Sequence, residues 1–93
     1  PAVLGAAVVR LRVLYFAALR ERVGRSEETV DVPEGIGQVG ELRRWLAARG
    51  EPWATAFAET RQVRAAVDQS MASDGAELHD NAEVAFFPPV TGG

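Results

Sequence analysis

The chain changes its apolar period several times, and each change marks an element. From Arg10 to Phe16 polar and apolar residues first alternate and then run continuously apolar, as in a strand that starts at the margin of a fold and enters its core. Ala17–Val23 follows with strong helix formers, Leu19 and Val23 on one side, and Gly24 as a stop. Glu27–Val32 alternates with period two up to the turn Pro33-Glu34-Gly35. It predicts a second strand, antiparallel to the first, with Glu27, Glu28 and Asp31 on its solvated face. Gln38–Arg49 places Val39, Leu42, Trp45, Leu46 and Arg49 at helical spacing, a long helix closed by Gly50 and Pro52. Trp53–Phe57 adds a helical turn with Trp53, Ala56 and Phe57 inward. Gln62–Asp68 and Glu83–Phe87 read as further strands, with a turn or hairpin from Gln69 to Asp74 and a tight turn at Asn81. Pro88-Pro89 ends the last strand, because proline donates no ladder hydrogen bond.

Strand, short helix, strand, long helix, strand, strand is the order of an α+β two-layer domain, a mixed sheet covered on one face by the long helix. The first and last strands are expected as central neighbours. Residues 1–9 are an apolar N-terminal extension, 10–87 the folded domain and 88–93 a projecting C-terminal tail.

Composition removes several chemistries. With no cysteine, disulfides, thiolate metal sites and persulfide chemistry are excluded. All cations are arginine, so Schiff-base chemistry is excluded, as is any side-chain amine acceptor for an isopeptide bond. A net charge of −3 argues against a nucleic-acid surface. The apolar start is too short to span a bilayer and has no basic region of a secretory signal, which favours the cytoplasm.

Catalytic equipment is thin. His79 is the single histidine, in a turn beside Asp80, and reads as a surface residue; no metal site is expected. Gly35, Gly37 and Gly40 match no phosphate loop, and Arg43-Arg44 read as the solvated face of the long helix. The tail is different. At a glycine usage of roughly 7 %, two terminal glycines arise by chance in about one chain in two hundred. The prolines stiffen an exit that reaches roughly 20 Å at most from the sheet. Glycines at the tip let the backbone enter a slot too narrow for any Cβ and leave the Gly93 carboxylate open to attack. A carboxylate reacts only once an oxygen becomes a leaving group, as in an acyl-adenylate. Fixing each tail residue in a partner costs about 1–2 kcal/mol, so a second anchoring surface on the domain is expected.

The segment Glu83-Val84-Ala85-Phe86-Phe87-Pro88-Pro89-Val90-Thr91-Gly92-Gly93 resembles the end of the small subunit of molybdopterin synthase, the MoaD type of sulfur carrier. Val13-Leu14-Tyr15-Phe16-Ala17, Leu19-Arg20-Glu21, Val23-Gly24 and Ala66-Val67-Asp68-Gln69 agree in order, so the resemblance runs from about Arg10 to Gly93. It implies a ubiquitin-like β-grasp fold. It implies that Gly93 is adenylated by an ATP-using, E1-like activating enzyme and converted to a thiocarboxylate. Pro88, Pro89, Val90, Thr91 and Gly92 would then insert into the large synthase subunit and deliver sulfur to cyclic pyranopterin monophosphate. Arg20 would make an ionic contact with that subunit, Phe87 and Met71 an apolar one, in a heterotetramer. No bound cofactor is implied, and catalytic residues are expected on the large subunit. Asp68 and Asp80-Asn81-Ala82 depart from the family's usual Asn and Asp-Gly-Asp; Asn81 is expected to preserve the turn. A ubiquitin-like protein modifier, a carrier for another pathway such as thiamine synthesis, and a plain interaction module are the alternatives.

Overall fold

The computed structural model describes residues 8–60 and 62–89. In chain order the elements are β1 (Val8–Tyr15), α1 (Ala17–Val23), β2 (Glu27–Pro33), α2 (Val39–Ala47), α3 (Trp53–Glu59), β3 (Arg64–Val67), β4 (Ser70–Ala72) and β5 (Ala82–Phe87). One mixed sheet runs β2-β1-β5-β3-β4. β1 and β5, the expected central neighbours, are parallel with Tyr15 opposite Phe86; β2, β3 and β4 join antiparallel. Both ends of the domain thus meet in the middle of the sheet.

Strand alternation sorts side chains cleanly. Leu11, Val13 and Tyr15, Val30 and Val32, Ala82, Val84 and Phe86, and Ala65 face inward and are buried. Leu19, Val23, Val39, Leu42, Leu46 and Ala56 of the helices close over them. Each buried Leu or Val contributes about 1.5–3 kcal/mol relative to exposure. Phe57 packs edge-on against Tyr15 and Phe86, with centroids at 6.5 and 5.5 Å.

The helical cover differs from expectation. α2 spans 9 residues and α3 another 7, so the described residues hold two short helices in place of the single long one. Ala48 donates its N–H to Arg44 O and Arg49 donates its N–H to Leu46 O, tightening the last turn, and Gly50 at φ +101° diverts the chain. At the other end, Glu41 accepts from the N–H groups of Gly37 and Gln38, which fixes where α2 begins. Gly24 at φ +89° stops α1 as its sequence implied. The β3–β4 hairpin turns at Asp68-Gln69, both at positive φ, and Asn81 at φ +66° makes the tight turn before β5. β1 begins at Val8, so Val8 and Val9 belong to the strand. The extension Pro1–Ala7 lies outside the described residues.

Two charged residues expected on solvated faces are internal struts. Glu28 points inward with Val30 and Val32, and its side chain is only 6 % exposed. Its Oε2 accepts from Tyr15 OH at 2.7 Å, Trp53 Nε1 at 3.0 Å and Arg49 at 3.0 Å, while Oε1 faces Arg25 at 3.4 Å. Arg49 also lies over the Trp53 ring at 3.9 Å. Burial alone would raise the Glu28 carboxyl, but hydrogen bonds from Arg49, Tyr15 and Trp53 outweigh it and hold it below the usual range. Arg43 of α2 donates to Val63 O at 2.9 Å and Asp74 at 2.6 Å, tying α2 to the start of β3 and to the loop after β4.

Candidate functional site

The helices cover one face of the sheet and leave the other open. Outward positions on that face are Arg10, Arg12 and Leu14 of β1, Glu83, Ala85 and Phe87 of β5, Arg64 and Ala66 of β3, and Met71 of β4. The register aligns Leu14, Ala85, Ala66 and Met71 in one row across adjacent strands. At the usual strand spacing this row is about 14 Å wide. Phe87 stands two residues beyond Ala85, opposite Arg64. Phe16 donates its N–H to Phe86 O and keeps an extended backbone, so it continues β1 beside Phe87. Phe16 is 44 % exposed and Met71 64 %, and Phe87 is half-buried outside the core cluster. This is an apolar half-face at the root of the tail.

The opposite half is charged and neutralises itself. Arg10 binds Asp31 at 2.9 Å; Arg12 binds Glu27 at 2.9 Å and Glu83 at 3.7 Å. His79 Nε2 lies 2.6 Å from Asp68 and its Nδ1 lies 2.9 Å from Asp80 O. Both neighbours only accept, so the ring satisfies both as an imidazolium. The Asp68 bond, with the Asp80 carbonyl, raises the imidazole above its ordinary value. Asp68 is held low by the Glu83 N–H it accepts and then by His79. The turn histidine is exposed, as expected from sequence, but clamps the β3–β4 hairpin to the strand lead-in.

Arg20 is exposed on α1, one turn beyond Phe16, whose carbonyl accepts the Arg20 N–H. Arg20 thus follows Phe16 and Phe87 ends β5 beside it, while Met71 stands on the far flank of the apolar row, on the edge strand β4. Pro88 and Pro89 are half-buried and carry the chain away from β5. Val90, Thr91, Gly92 and Gly93 lie outside the described residues. Sequence reading missed Phe16, Leu14 and Ala66 as surface. Period two was the available signal: Leu11, Val13 and Tyr15 face one way, so Leu14 and Phe16 face the other.

This sheet order, with parallel first and last strands and helices on one face, is the ubiquitin-like β-grasp. The profile of the ThiS family matches residues 13–93, and the chain belongs to that family. It is 43% identical over 83 residues to the molybdopterin synthase sulfur carrier subunit of Escherichia coli, covering 89% of this chain and 99% of that one. Identity to the Haemophilus influenzae protein of the same name is 34%, with the same coverage of 89% and 99%. Among solved structures, SAMP1 from Haloferax volcanii superposes with a TM-score of 0.71 at 25% identity, over 90% of this chain and 99% of that chain.

Proposed function

We propose that this chain is the sulfur carrier subunit of a molybdopterin synthase. The Gly93 carboxylate is adenylated by an E1-like activating enzyme using ATP, with release of pyrophosphate. A sulfur nucleophile then displaces AMP from the acyl carbon and leaves a thiocarboxylate. The tail from Pro88 to Gly92 enters the large subunit, where sulfur passes to cyclic pyranopterin monophosphate during molybdenum cofactor biosynthesis. Two small and two large subunits form the assembly, in the cytoplasm. No cofactor is held by this chain.

The observation that supports this reading is the point where the chain leaves the sheet at Pro88. The chain leaves the central strand β5 directly beside an exposed apolar half-face, with Arg20 at the same end. Docking that half-face anchors the domain and offsets the entropy of ordering the tail. Acids and bases for the chemistry then reside on the partner, in keeping with the self-neutralised charges elsewhere on the face. Identity to sulfur carrier subunits over nearly their full length supports the same reading.

The test is reconstitution with the large subunit. Removal of Gly92-Gly93 should abolish precursor conversion and leave the thermal transition unchanged. Retained activity without the glycines would sink the proposal. A second reading, a ubiquitin-like modifier joined to target amines, is favoured by the likeness to the archaeal protein SAMP1. It predicts covalent adducts with other proteins in place of sulfur transfer.

A further inference from the structure

The open face carries arginines in both halves, and they are treated differently. Arg10 and Arg12, in the charged half, each have a carboxylate partner within the fold. Arg64 is exposed on β3 in the apolar half, and no acidic group among the described residues pairs with it. Its cross-strand neighbour is Phe87, the last residue of β5 before the tail. Directly paired positions place Cβ atoms about 5 Å apart. Any protein that takes in the tail from Pro88 onward therefore covers Arg64 as it covers Phe87.

We infer that Arg64 is a further docking residue, whose guanidinium receives a carboxylate of the subunit that accepts the tail. This rests on the proposed carrier function. A planar guanidinium beside an aromatic anchor matches a carboxylate in a bidentate fork. Leaving a covered arginine without a counter-charge is strongly unfavourable, so the partner must supply one. The surroundings favour a protein carboxylate over a phosphate. Phe87 and Ala66 flank Arg64, and among the described residues no glycine loop or helix start converges there. Arg64 thus sets orientation: Phe87 fixes where the carrier docks, and the charged pair beside it fixes which way round.

The test is equilibrium binding of the unmodified carrier to the molybdopterin synthase large subunit of the same organism, at low and at physiological salt. Arg64→Glu should weaken binding at least about tenfold, the counterpart of losing one charge-assisted hydrogen bond. Arg64→Leu should weaken it less and flatten its salt dependence. Both variants should melt with the wild type, since Arg64 lies outside the core. Reversing the matching acid on the large subunit should restore binding of Arg64→Glu. Wild-type affinity and salt dependence in Arg64→Glu would overturn the inference and leave the carrier function standing. Failure of the wild type itself to bind would bring down the carrier function, and this inference with it.

Discussion

Glu28 ties β2 to Tyr15 of β1, Trp53 of α3 and the arginines Arg25 and Arg49. Replacing it with Gln keeps the shape and one acceptor oxygen, but removes the charge facing Arg49 and Arg25 and turns an amide toward Arg25. Loss of a partner from a fully buried ion pair costs about 3–5 kcal/mol. Arg49 is 27% exposed and Arg25 51%, so water recovers part of that. The net expectation is about 2 kcal/mol for Glu28→Gln and about 3 kcal/mol for Glu28→Ala, which also strands Tyr15 OH and Trp53 N–H. In a domain of this size about 2 kcal/mol lowers Tm by roughly 8–16 °C. The assay is thermal unfolding by circular dichroism from pH 3 to 8. The folded-state carboxyl is held low, so its contribution is complete above the unfolded pKa of about 4.3 and fades as pH falls through the folded value. The gap between wild type and Glu28→Gln should therefore close in acid. A Tm within about 2 °C of wild type at pH 7, or a gap that widens in acid, would refute the strut.

Other expectations follow from the same geometry. Phe87→Ala should fold with a Tm near wild type yet weaken binding to the large subunit at least about tenfold, measured by calorimetry; Phe16→Ala should act in the same direction. His79 should titrate above its ordinary value in an NMR pH series, and Asp68→Asn should bring it down. Because the folded value is raised, this pair supports the hairpin fully below pH about 6.5 and loses that support as pH rises through the folded pKa. Gly24→Ala places a Cβ at φ +89° and should cost about 1 kcal/mol in denaturant unfolding.

Much of the fold was legible because period and punctuation agreed. Ala17–Val23 stands as read, since Gly24 is a stop that admits a left-handed residue. The central pairing of β1 with β5 matches the two longest apolar strand patterns. Helix length was less legible: the apolar spacing ran on to Arg49, but a local 48–50 turn ended α2 first. Glu28 was misread because a carboxylate reads as solvated, although period two sets it with Val30 and Val32; its donors, Tyr15, Arg49 and Trp53, come from three other elements or loops. At the site, the tail was legible from its terminal glycines and prolines, whereas Arg20, Met71 and Phe87 came from resemblance. The row of Leu14, Ala85, Ala66 and Met71, with Phe16 and Phe87 on its tail side, emerged only with the sheet register.

The central claim is that Gly93 carries sulfur, and intact mass spectrometry tests it most directly. Incubated with its activating enzyme, ATP and a sulfur source, the chain should exchange one carboxylate oxygen for one sulfur. The variant lacking Gly92-Gly93 should not change. An unaltered mass for the full chain, or a ladder of higher-mass adducts with other proteins in its place, would contradict the account.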